Sequence, residues 1–162
     1  MTQTTPTPSA VEPSGSPPVN RMAIAALALA GVFLAGYLLL YKLRVLGSIA
    51  CGTGACERVQ SSPWAVFLGI PVPAWGVGGY ASIFIAALLG IQPAWIERRA
   101  TAWLLAGLST FAFGFSAYLS AIEAFVLHQW CRWCIGSAVI ATLIFLFSLP
   151  ELKRLLRRET RG

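Results

Sequence analysis

Apolar residues fall into four long runs, separated by stretches where glycine, proline and charge collect. The first run covers residues 22–41 and contains no charge. The second covers residues 73–91 and stops before Pro93. The third covers residues 100–125, with Glu123 near its far end, and the fourth covers residues 131–149, closed by Pro150. A bilayer core of about 30 Å is spanned by about 20 helical residues, and each run is close to that length or beyond it. Helices satisfy their own backbone hydrogen bonds, which a segment in lipid must do. Pro73 is compatible with a helix start, because a first-turn N–H has no intrahelical partner. The pattern therefore predicts an all-α integral membrane protein, a bundle of four transmembrane helices.

The connections differ in length. Residues 92–99 make a short turn, so the second and third helices are expected to be antiparallel neighbours. Residues 127–130 join the third helix to the fourth. The segment 42–72 is longer, holds Gly47, Gly52, Gly54 and two cysteines, and is moderately apolar at Val66, Phe67, Leu68 and Ile70. It is expected to lie on the membrane surface as an outer loop over the bundle, with a short interfacial helix near residues 63–68. Residues 1–20 are rich in Thr, Pro and Ser and have nothing with which to build a core, so they read as a disordered tail. Residues 21–150 form the membrane domain, and residues 151–162 a basic cytoplasmic tail suited to anionic lipid.

Composition narrows the class. Hydrophobic residues make up 57% of the chain and charged residues 11%, with no aspartate; mean hydropathy is +0.71. Soluble domains carry about 25% charged residues. An ordinary cytosolic enzyme, a nucleic-acid binder and a disordered protein are excluded. The net charge of +6 belongs to basic flanks. With the N-terminus inside, the inner flanks hold Arg21, Arg98, Arg99, Lys153, Arg154, Arg157, Arg158 and Arg161. The outer segments hold Lys42, Arg44, Arg58 and Arg132. That bias predicts a multi-pass protein of the cell (inner) membrane with both termini cytoplasmic. A cleaved signal peptide fits poorly: the first run is long for one, and Ile49-Ala50-Cys51 lies well past it.

This topology gathers all four cysteines on the extracytoplasmic side. Cys51 and Cys56 lie in the outer loop as Cys-Gly-Thr-Gly-Ala-Cys, and Cys131 and Cys134 open the fourth helix as Cys-Arg-Trp-Cys. That compartment is oxidising, so thiols there tend to pair. A Cys-x-x-Cys at a helix start faces unpaired N–H groups and partial positive charge, which favour a thiolate; Arg132 adds a cation. A lower thiol pKa makes a better leaving group. The loop pair is flanked by glycines and is expected to move, carrying electrons between a soluble partner and a fixed redox centre. Four cysteines allow three pairings; Cys51–Cys56 with Cys131–Cys134 is the oxidised arrangement expected at rest. A bond between a loop cysteine and Cys131 would be the transfer intermediate. A structural zinc site or purely structural disulfides are the bland alternatives, in a zinc-binding or non-catalytic four-helix membrane protein. A bridge across so few residues adds little stability.

The order of a loop cysteine pair, then Ser62, then Leu68-Gly69-Ile70-Pro71-Val72, then a Cys-x-x-Cys opening the last helix, resembles the vitamin K epoxide reductase family, its bacterial members in particular. The resemblance implies a four-helix bundle around a quinone, ubiquinone or menaquinone, as cofactor. It implies oxidation of a thioredoxin-like partner and transfer of its electrons to the quinone. By motif position Cys134 would lie nearest the quinone, Cys131 would exchange with Cys56, and Cys51 would meet the partner. Ser62 matches the family serine after the second loop cysteine. Trp133 and Trp130 are candidates to border the quinone. Many bacterial members carry a fused thioredoxin-like domain after the bundle; this sequence ends at Gly162, so a separate partner is expected. Vertebrate members have a tyrosine one turn after the Cys-x-x-Cys, where Ala138 stands here. The unrelated bacterial quinone-linked disulfide oxidases carry their Cys-x-x-Cys first, the reverse of this order.

Three further residues have two readings each. Ser62 either caps a short helix in Ser-Pro-Trp or works near the quinone. His128 either faces water or handles a proton. Glu123 either snorkels to the surface or acts at the site, as ionisable groups within spans tend to.

Overall fold

The computed structural model describes residues 19–52, 54–92 and 99–159. Residues 1–18 of the predicted tail, 53 of the outer loop, 93–98 of the predicted turn and 160–162 lie outside that description. Four long helices account for the apolar runs: α1 Val19–Lys42, α3 Val72–Ile91, α4 Arg99–Ile122 and α5 Arg132–Glu159. A short helix, α2 Ala55–Ser61, precedes a 3-10 turn at Pro63–Ala65 and a two-stranded hairpin of β1 Val66–Phe67 and β2 Ile70–Pro71. Four spans are long and apolar enough to cross a bilayer, and the chain is a multi-pass membrane protein.

The helices close into a ring in which α1 packs on α3 and α5, and α4 packs on α5 and α3. Small residues set the spacing. Ala28 and Ala35 of α1 and Ala86 and Ala87 of α3 are buried with Ile24, Ile83, Leu105 and Ile144. A Cβ placed on Gly31 would lie 2.6 Å from the Tyr80 ring, so only glycine lets α1 and α3 approach this closely. Polar ties between helices are few. The Tyr80 hydroxyl donates to the Ser137 carbonyl at 2.8 Å, and the Ser109 hydroxyl bonds that of Ser148 at 2.9 Å. The buried Arg21 guanidinium donates to the Gly90 carbonyl, near the end of α3 where carbonyls lack helical partners. Outside, Phe33 and Ile85 face the space that lipid fills.

Three sequence expectations are corrected. No interfacial helix forms over residues 63–68; the helix lies earlier, at Ala55–Ser61, and the segment becomes a 3-10 turn and hairpin. Leu68 and Gly69, with φ of 52° and 79°, make the positive-φ two-residue turn that strand twist favours. Pro150 does not close α5, which runs on to Glu159; an internal proline removes one backbone bond and kinks a helix without having to end it. Finally, α1 begins at Val19, inside the stretch read as tail.

Gly31→Ala is expected to destabilise the bundle by about 1–3 kcal/mol through overpacking, read as a lower thermal midpoint in detergent. Gly36→Ala, with open space around it, should not lower the midpoint.

Candidate functional site

The outer loop is folded down onto one end of the bundle. Past α1 it is held at Ala50, whose N–H donates to the Tyr37 hydroxyl at 3.0 Å and whose carbonyl accepts from the Trp133 indole at 3.1 Å. Tyr37 and Trp133 pack with ring centroids 5.0 Å apart. Gly52 and Gly54 then adopt φ of 73° and 69°, a left-handed backbone that glycine enters without strain, and the chain turns into α2. This places Cys51 and Cys56 with their Cα atoms 6.0 Å apart, joined by a disulfide. The Lys42 ammonium bonds the Gln60 carbonyl and ties α2 to the end of α1.

The loop pair is no free arm. Cys51 is 3% exposed and Cys56 is fully buried, in one apolar cluster with Leu38, Ile49, Val59 and Cys131. In the state seen, apolar packing holds the loop against the bundle.

Below the loop, α4 ends in a π turn, Glu123–Leu127, closed by His128 at φ 50°. The turn carries the buried Glu123 toward the start of α5, where its carboxylate accepts the Cys131 N–H at 3.1 Å. The Cys134 N–H donates to the Cys131 sulfur at 3.4 Å. One carboxylate oxygen and the two sulfurs lie within 4.8 Å of one another. The Cys134 side chain, bonded to the Cys131 sulfur, holds the Cys131 thiol below its ordinary range, and this outweighs burial and the nearby Glu123 charge. Cys131 and Cys134 are free thiols, not the second disulfide expected at rest. The state seen has the loop pair oxidised and the helix pair reduced.

Cys134 forms part of the wall of a cavity of about 370 Å³ lined by α1, α3, α4, α5 and the loop. The cavity is mostly apolar, with Trp64, Phe67, Trp75, Phe111 and Phe115 on one side. Its polar fringe includes Gln60, Ser62, Tyr80 and Glu123. Volume and lining are those of a small-molecule site, and a flat apolar ring with a lipid tail fits them. Ala138 also lines it, so the space a tyrosine would take is open.

Two sequence candidates lie elsewhere. Trp133 is committed to Tyr37 and Ala50, and Trp130 is exposed; neither lines the cavity, whose tryptophans are Trp64 and Trp75. The reason is helical phase, since Trp133 sits one residue from Cys134 and points to another face. Ser62 does line the cavity and makes no side-chain cap, its hydroxyl donating instead to the Val59 carbonyl at 2.7 Å. The four-cysteine zinc arrangement is not formed, because the disulfide consumes two of its sulfurs.

Over residues 22–149 the sequence matches the vitamin K epoxide reductase family. The chain belongs to that family. It is therefore a membrane oxidoreductase of the general thiol–disulfide and quinone class that the family represents. In this vitamin K epoxide reductase family protein the structure brings together Cys51, Cys56, Cys131, Cys134 and Ser62 at one end. Sequence reasoning left Glu123 undecided and passed over Gln60, Trp64, Trp75 and Tyr80. A charged residue late in a span was the available signal for Glu123; the π turn that aims it had none.

Cys134→Ala should raise the pKa of the Cys131 thiol toward its ordinary range, since the bond that lowers it is gone. Thiolate absorbance followed against pH reads the shift, with the midpoint moving to higher pH.

Proposed function

We propose that this protein oxidises a thioredoxin-like dithiol partner outside the cytoplasm and passes two electrons to a membrane quinone, ubiquinone or menaquinone. One observation carries the reading: Cys131 belongs to the same buried cluster as the loop disulfide, while its neighbour Cys134 walls the cavity. A relay needs that order. The arginine and lysine bias supports an orientation in the cell membrane with both termini cytoplasmic and the cysteines on the opposite side.

The chain's own steps follow from thiol–disulfide exchange. A partner thiolate attacks Cys51, breaks the Cys51–Cys56 bond and releases the Cys56 thiolate. The second partner thiol attacks the mixed disulfide, leaving the partner oxidised and the loop reduced. The Cys56 thiolate attacks Cys131 of an oxidised Cys131–Cys134 pair and frees the Cys134 thiolate beside the cavity. Cys51 then attacks Cys56, which restores the loop disulfide and leaves the helix dithiol. That product matches the state seen here. Re-forming the Cys131–Cys134 bond releases two electrons and two protons, and a quinone bound in the cavity supplies the two-electron sink. Trp64, Phe67 and Trp75 would hold its ring and keep water out, and Ser62 and Gln60 border its polar edge.

Purified protein in detergent, given a reduced thioredoxin-like partner and a soluble quinone analogue, tests this. Wild type is expected to couple partner oxidation to quinone reduction, and Cys134→Ala to fall to background. Absence of turnover in wild type with both ubiquinone and menaquinone analogues would contradict the reading.

A further inference from the structure

Closing the Cys131–Cys134 bond requires both thiols to lose protons, yet Cys131 is fully buried and the cavity beside Cys134 is mostly apolar. Among the cavity's polar residues, few can receive a proton. The Tyr80 hydroxyl is occupied by Ser137, the Ser62 hydroxyl by the Val59 carbonyl, and Gln60 is an amide. His128 stands exposed at the end of the π turn. Glu123 remains. It is 4% exposed, and its carboxylate is bonded to the Cys131 N–H and to the Cys134 side chain. Its main chain is fixed as well, its carbonyl accepting the N–H groups of His128 and Gln129. A π turn of this kind often marks a functional site.

The charges around Glu123 sharpen the point. From α5 it faces Cys131 and Cys134. From α1, Lys42 is tied to the Gln60 carbonyl. From α2, Arg58 reaches Gln129 at the surface, and Glu57 is exposed. Among the described residues no cation acts on the carboxylate. A buried, unpaired carboxylate is costly, and beside two sulfurs that must become thiolates it is repulsive too. Moving the thiol proton onto it leaves one negative charge where there would be two.

We infer that Glu123 is the catalytic proton acceptor for the Cys134 thiol. The Cys134 S–H bond breaks, an O–H bond forms on Glu123, and the negative charge moves from oxygen to sulfur at the cavity wall. The inference deepens the thiol–quinone reading and rests on it for the fate of the electrons.

A quinone-free experiment reads the proton directly. With the loop disulfide intact, the rate of Cys134 alkylation by iodoacetamide is followed against pH, and the modified cysteine is mapped by peptide mass. With Glu123 as acceptor, competition between thiol and carboxylate sets the thiolate fraction, so the wild-type rate stays flat across the neutral range. In Glu123→Gln the proton must leave to solvent, and the rate should rise about tenfold per pH unit. A tenfold-per-unit rise in wild type overturns the assignment. A flat profile that persists in Glu123→Gln overturns it too, handing the proton to Cys131. If Glu123→Gln does not fold, Glu123→Asp serves: it should keep the flat profile, and a sloped one counts against the carboxylate. In turnover, Glu123→Gln should lose about 10²–10⁴-fold. Failure of wild-type turnover would sink the thiol–quinone reading while leaving the alkylation profile standing, so the two failures are separable.

Discussion

The loop disulfide and Cys131 share one apolar cluster with Leu38, Ile49 and Val59, and the working end of the protein is organised around that packing. Burying the disulfide pulls α2 down over the open end of the bundle. The lowered loop forms one wall of the cavity beside Cys134. It also shields the one buried carboxylate nearby. If the cluster came apart, that wall of the cavity and the register between the two cysteine pairs would go with it. Tyr37 and Trp133 reinforce it from the rim by gripping both backbone groups of Ala50.

The rest of the bundle is built to be quiet. Its helices meet through alanine, glycine and aliphatic side chains, with Tyr80–Ser137, Ser109–Ser148 and Arg21–Gly90 as isolated polar ties. In lipid such close backbone packing replaces the hydrophobic drive that holds a soluble core. The sulfurs, Glu123, Gln60 and Ser62 lie together at one end. Buried polar groups are expensive where they do no chemistry, and their concentration beside the cysteines fits a site that must move charge.

Much of this was legible in the sequence because bilayer thickness leaves few solutions. Four charge-poor runs of span length predict four helices, and short links predict which are neighbours. The cysteine order placed both pairs at one end. What stayed hidden depends on tertiary packing. The seven residues of α2 are too few to show a period, and they become helical because Cys56 and Val59 find a cluster to join. Leu68-Gly69 turns a hairpin where apolar content suggested a helix. Trp133 and Trp130 are near the dithiol in sequence, yet helical phase turns Trp133 away from the cavity, and Trp130 stands exposed before α5 begins. The aim of Glu123 depends on a π turn, a backbone irregularity with no residue signature.

The central claim is that electrons pass between the loop pair and the helix pair within the buried cluster. Its most direct measurement is a trapping experiment on the Cys51→Ala, Cys134→Ala double variant, which leaves Cys56 and Cys131 without their resolving partners. Mild oxidation and non-reducing peptide mapping should recover a Cys56–Cys131 disulfide within single molecules. Two thiols that stay reduced, or that link only between molecules, would contradict the relay.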